Sequence, residues 1–139
     1  MTIQELQKEV VEEFSLFTDW MEKYEYLIEL GKALTPFPQE KKTDEHLIPG
    51  CQSRVWLCAY VESGRLFFLA DSDAIITKGI ISLLIKVFSG HTAGEVVASN
   101  TDFLEQIGLK EHLSPTRANG LVSMVKQIKM YALAYKQGE

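Results

Sequence analysis

Apolar residues recur at helical spacing from the start of the chain, with Ile3, Leu6, Val10, Phe14 and Phe17 on one face. Thr2 and Glu5 form a capping box ahead of that run, so a first helix is predicted over Thr2 to Phe17. Asp19 with Glu22 repeats the signal, and Tyr24, Leu27, Ile28 and Leu30 carry a second helix to Gly31, a residue suited to the left-handed position that ends many helices. Two helices joined so closely are expected to pack as a hairpin. Lys32 to Glu45 breaks the pattern with Pro36, Pro38 and the polar run from Gln39 to Glu45, and reads as a surface connection.

The period then changes. His46-Leu47-Ile48 predicts a short strand that Pro49-Gly50 stops and turns, which leaves Cys51 at or beside a turn. Ser53 to Val61 is rich in β-branched and aromatic residues and predicts a second strand. Alternation sets Val55, Leu57, Ala59 and Val61 on one face and Arg54, Trp56, Cys58 and Tyr60 on the other. Glu62-Ser63-Gly64 turns the chain into a third strand from Arg65 to Ala70.

Helical spacing returns after it. Asp71-Ser72-Asp73 offers caps for a helix over Ala74 to Phe88, whose Ile76, Ile80, Leu83, Leu84 and Val87 make an apolar face wide enough to be largely buried. Thr92 with Glu95 opens a short helix through Val97, Asp102 to Ile107 forms another that Gly108 closes, and Ser114-Pro115 starts the last. That last helix carries Ala118, Leu121, Val122, Val125, Ile128 and Ala132. The order predicts an α+β fold in two layers, a small three-stranded antiparallel sheet covered on one face by helices, within a single domain over residues 1–139.

Composition narrows the function. With 46% hydrophobic and 24% charged residues, the chain is an ordinary globular protein that needs no disulfide or metal staple. Its net charge of −5 argues against nucleic acid as a partner. Lys78 and Lys86 interrupt the most apolar region, short of the roughly 18 residues a membrane span needs. The polar, acidic N-terminus is unlike a signal peptide, so no membrane association and a cytoplasmic location are expected.

Candidate chemistry is sparse. A structural zinc site takes about four ligands at regular spacing, whereas Cys51, Cys58, His46, His91 and His112 are scattered and include no histidine pair one helical turn apart, so no metal is expected. The extended chain between the thiols disfavours a disulfide joining them. Each histidine could serve as a base, His46 being nearest Cys51 in sequence, but each reads more simply as a surface residue. No Gly-x-Ser-x-Gly elbow and no glycine-rich phosphate loop occurs.

Cys51 in the turn Pro49-Gly50-Cys51-Gln52-Ser53 is placed to meet another molecule, or it fills a gap as a small hydrophobe. Gln52 and Ser53 either bond within the turn or supply hydrogen bonds beside the sulfur. Cys58, mid-strand between Trp56 and Tyr60, reads as core. Asp71 and Asp73 resemble a carboxylate pair, but helix capping explains them with fewer assumptions. Arg117 places a cation at a helix start, against the helix dipole, for a partner or for a surface ion pair. Asn119-Gly120 inside the same helix points to close packing or contact.

Three segments in order, Gly50-Cys51-Gln52-Ser53-Arg54-Val55-Trp56, Asp71-Ser72-Asp73-Ala74 through Lys78-Gly79, and Leu113-Ser114-Pro115-Thr116-Arg117-Ala118-Asn119-Gly120-Leu121, resemble the SufE family. Tyr26 to Lys32 and Lys41 to Asp44 extend the likeness over nearly the whole chain, and Thr116 departs from the serine common in the family. The resemblance implies a SufE/NifU-like fold and a sulfur relay. A SufS-like cysteine desulfurase forms a persulfide on its own cysteine, Cys51 takes the outer sulfur, and the loaded protein delivers it to a SufBCD-like scaffold complex for iron–sulfur cluster assembly. Emptying the desulfurase stimulates its turnover, so the protein acts as an accessory activator rather than a stand-alone enzyme. It carries no cofactor of its own, the pyridoxal phosphate being the desulfurase's. Gln52, Ser53, Arg117 and Asn119 are candidates for the partner-facing surface around Cys51. Two other readings compete: a cluster scaffold, which needs more cysteine ligands than Cys51 and Cys58 provide, and a docking module without covalent chemistry.

Overall fold

The computed structural model describes residues 1–138. Seven helices, α1 (Ile3–Ser15), α2 (Trp20–Lys32), α3 (Ile75–Phe88), α4 (Ala93–Ala98), α5 (Asp102–Gln106), α6 (Leu109–His112) and α7 (Pro115–Gln137), surround one hairpin of β1 (Val55–Glu62) and β2 (Arg65–Ser72). The fold is a mostly helical α+β arrangement with a two-stranded antiparallel sheet.

Local capping governs where most helices begin. Thr2 and Glu5 form the reciprocal capping box on α1, and Thr92 and Glu95 form one on α4. Asp19 caps α2, and Ser114 caps α7 ahead of Pro115 in its first turn. Gly108, at φ +70°, follows α5 in the left-handed region, and the short α6, which lacks a sequence signal, starts directly after it.

The central element is α3. Ile80, Ile81, Leu83, Leu84, Val87 and Phe88 are all but inaccessible, and the core spreads outward from them to Leu27, Leu57, Phe68 and Ile128. Gly31 does not end α2. It lies inside the helix, where a β-carbon would come 3.1 Å from the Gly79 amide nitrogen, and one on Gly79 would come 2.3 Å from the Leu27 carbonyl oxygen. The backbones of α2 and α3 therefore touch, which only paired glycines permit. This crossing replaces the expected α1–α2 hairpin: α2 runs against α3, and α1 meets α2 mainly through an edge-to-face contact of Phe14 with Tyr26 and a tilted one of Phe17 with Tyr26.

Of the three expected strands, the first, His46-Leu47-Ile48, does not form. His46 belongs to a 3-10 turn (Asp44–His46), and the segment contributes one isolated bridge, Leu47 opposite Trp56. The reason lies on the outer edge of β1. Its carbonyls at Val55, Leu57 and Ala59 accept hydrogen bonds from the Ile48 amide at 2.8 Å, the Tyr131 hydroxyl at 3.0 Å and the Tyr135 hydroxyl at 3.0 Å. Two tyrosines one turn apart on α7 thus occupy acceptors that a longer third strand would use. The free edge of β2 is covered likewise: the Leu66 amide donates to the His91 carbonyl, and the Phe68 amide donates to the Ser89 hydroxyl. Val122, expected on the apolar face of α7, is exposed, and Met124 takes its place in the core. No helix among the described residues is long and apolar enough to cross a membrane.

Candidate functional site

The segment Pro49 to Arg54 is a loop tied at its base, where the Ile48 amide donates to the Val55 carbonyl. Its far end is pinned by the residues ahead of α3. The Arg54 amide donates to the Asp73 carboxylate at 3.1 Å, and the Ser72 hydroxyl donates to the Arg54 carbonyl at 2.8 Å. Asp73 therefore does not cap α3. Ala74 occupies that position with no side-chain bond, and the capping expectation for Asp71 and Asp73 is corrected: both are used in tertiary contacts. Asp71 pairs with Lys42 at 2.7 Å and with Lys78 at 3.2 Å. Partial burial alone would raise its pKa, but the hydrogen bond from Lys42, with the Ser72 amide and Lys78, outweighs that and holds the carboxyl below its usual range.

Inside these anchors the loop leans on α7. Gly50 has φ +88°, and a β-carbon there would fall 2.4 Å from the Ser123 hydroxyl oxygen. The next residue, Cys51, lies against Gly120: its thiol donates to the Gly120 carbonyl over 3.7 Å, and a β-carbon on Gly120 would sit 3.6 Å from the sulfur. The costly glycine in the helix is thus where the turn and α7 meet. Burial pushes the Cys51 thiol above its ordinary pKa, so the resting group is a protonated thiol.

Cys51 borders a pocket of about 360 Å³. Gln52 and Ser53 of the loop and Arg117 of α7 line it as well, so four of the five residues singled out in the sequence converge. Asn119 does not line it and is exposed on α7. Thr77 and Ile80 of α3 and Met124 of α7 complete the walls, and nothing in the sequence beyond helical periodicity marks them for this place. Arg117 is exposed, its backbone amide bonded to the Ser114 cap.

The second thiol has a different setting. Cys58 is 4% exposed in the middle of β1, and burial raises its pKa too. Both cysteines are free. Of the histidines expected at the surface, His112 stacks on Trp20 at 3.9 Å and is exposed, whereas His91 is buried at 8% exposure with Nε2 bonded to the Met1 carbonyl. No cluster of three or more His, Cys, Asp or Glu residues able to hold a metal occurs among the described residues.

What this arrangement can do chemically is limited and specific: one thiol, held neutral, faces a pocket with a single cation and several hydroxyls. The SufE family, described as an Fe-S metabolism associated domain, matches residues 8–132. An uncharacterised SufE-like protein of Rhizobium meliloti is 39% identical over 129 residues, covering 89% of this chain and 92% of the relative. SufE-like protein 1 of Arabidopsis thaliana, chloroplastic/mitochondrial, is 40% identical over 127 residues, 91% of this chain and 34% of the plant protein. The solution structure of a hypothetical protein from Thermus thermophilus superposes with a TM-score of 0.77 at 21% identity, covering 93% of this chain and 94% of that one, a likeness of fold. Matched by the family along most of its length and by relatives near 40% identity, the chain belongs to the SufE family.

Proposed function

We propose that the protein is a single-domain sulfur acceptor for a cysteine desulfurase, with Cys51 as the accepting residue, and that it passes the sulfur to an iron–sulfur cluster scaffold in the cytoplasm. The observation that carries this reading is the contrast between the two thiols: Cys51 borders a pocket on a loop, whereas Cys58 is enclosed within β1. In the transfer, the Cys51 thiolate attacks the outer sulfur of the desulfurase persulfide. A new S–S bond forms on Cys51, the old one breaks, and the desulfurase cysteine leaves as its thiolate. Gln52, Ser53 and Arg117 border the incoming sulfur, and Asn119 belongs to the exposed surface of α7 beside it.

The resting geometry bears on control. A neutral thiol bonded to the Gly120 carbonyl is a poor nucleophile, so the free protein is guarded against stray alkylation and oxidation. The loop tip is held by the weak S–H contact, the close approach of Gly50 to Ser123 and the packing of Cys51 against the core, with no backbone hydrogen bond of the sheet among them, while its base is bonded at both ends, so a partner can draw Cys51 outward without dismantling the sheet.

Incubation with a cysteine desulfurase and cysteine, followed by peptide mass spectrometry, tests the proposal. One added sulfur on the Cys51 peptide is expected, and Cys51→Ser is expected to abolish both the addition and the stimulation of the desulfurase. Sulfur on Cys58, or stimulation that survives in Cys51→Ser, would overturn it.

A further inference from the structure

Thr77 stands in the first turn of α3 and is 7% exposed, yet it borders the Cys51 pocket. Its hydroxyl makes no hydrogen bond to another group among the described residues, and the residue forms part of the pocket wall. Hydroxyls of buried side chains are nearly always bonded, and one without a protein partner on a pocket wall is free to donate to a group that enters the pocket.

The surroundings select the sign of that acceptor. Two helices present their N-terminal turns to the pocket: α3, of 14 residues, through Thr77, and α7, of 23 residues, through Ser114, Thr116 and Arg117. Such turns carry partial positive charge, and that of α3 has no side-chain cap, whereas the Arg117 amide of α7 is already bonded to Ser114. The titratable groups facing the space are Cys51 and Arg117. No carboxylate lines it, although the chain as a whole carries −5, and Lys78, beside Thr77 in sequence, is turned instead to Asp71 at 3.2 Å. The pocket of about 360 Å³ holds one more sulfur atom on Cys51 with space to spare.

We propose that the Thr77 hydroxyl donates a hydrogen bond to the outer sulfur of the Cys51 persulfide and holds it as an anion between the N-terminal turns of α3 and α7. The assignment rests on the acceptor function proposed above. A persulfide is a stronger acid than a thiol, so the group that is neutral when empty becomes anionic when loaded and finds a donor only then. An anionic outer sulfur is a poor electrophile, which shields the cargo from free thiols until the loop leaves the pocket.

The pH dependence of alkylation reads this directly. After loading of the full-length protein by a desulfurase, iodoacetamide is added across a pH series: the outer sulfur displaces iodide, one S–C bond forming as the C–I bond breaks, and mass spectrometry follows the product at Cys51. The midpoint of the rate profile is the persulfide pKa. Thr77→Val, which keeps the shape and removes the donor, is expected to move that midpoint up by about one pH unit, a tenfold change in acidity. Thr77→Ser is expected to hold it at the wild-type value. Should Thr77→Val fold poorly by thermal unfolding, Thr77→Ala serves for the same comparison. A loaded variant lacking the hydroxyl whose midpoint matches wild type overturns the Thr77 assignment alone. Wild-type protein that takes no sulfur on Cys51 overturns the acceptor function and this assignment together.

Discussion

Gly50→Ala perturbs the backbone immediately before Cys51. At φ +88° an L side chain is strained by about 1–2 kcal/mol, and the new methyl would meet the Ser123 hydroxyl at 2.4 Å. The hydroxyl can rotate, so the clash adds less than a full overpacking penalty, and the total comes to about 2 kcal/mol. The loop has a less costly way to respond than unfolding, because its bonds at Val55 and Arg54 remain when its tip lifts away from α7. A bias of about 2 kcal/mol toward the lifted state raises its population about 30-fold. Lifting removes the Gly120 contact and the burial that raises the thiol pKa, so the empty protein should be alkylated at Cys51 about an order of magnitude faster. The assay is timed iodoacetamide labelling read by peptide mass spectrometry, with the buried Cys58 as internal reference and denaturant unfolding for global stability. Adding Ser123→Gly should restore the part due to the clash and leave the part due to φ. Labelling and stability both at wild-type values in Gly50→Ala would refute the account of the loop.

Gly79→Ala should cost about 3 kcal/mol or more, because its methyl would fall 2.3 Å from the Leu27 carbonyl and force α2 off α3; a midpoint in urea unchanged from wild type would contradict the backbone contact. Asp71→Asn should cost about 1–2 kcal/mol at neutral pH through loss of the Lys42 and Lys78 pairs. Since the folded state holds the Asp71 pKa below its unfolded value, its contribution is present above the ordinary carboxylate range and is lost as pH falls through the depressed value; acid titration of stability should therefore be shallower in the variant. Tyr131→Phe leaves the Leu57 carbonyl without its donor and should cost about 1–2 kcal/mol, measured by thermal unfolding, with little effect on sulfur loading.

The legible parts of the sequence share one property: their interactions close within a few residues. The Thr2–Glu5 and Thr92–Glu95 boxes, the Ser114-Pro115 start of α7 and the Gly108 stop are all settled by bonds or dihedrals spanning one turn. The burial of α3 was equally readable, since apolar residues surround most of that helix and must be covered. Cys51 could be placed in a turn from Pro49-Gly50 alone. Gly31 and the Asp71–Asp73 segment misled for the complementary reason: each resembles a local signal, a helix stop or a cap, but is used in a long-range contact.

The order of elements, their starts and the single loop thiol were thus written in the chain itself, because hydrogen bonds one turn apart and the period of apolar residues depend on neighbours in sequence. Tertiary structure alone decided that the sheet stops at two strands and that Thr77 shares a pocket with Cys51. The first depends on hydroxyls of α7 reaching carbonyls of β1 from 74 and 76 residues away. The second depends on paired glycines letting α2 settle onto α3 and on Gly120 leaving room for the sulfur against α7, which fixes where the first turns of two helices come to rest around one thiol.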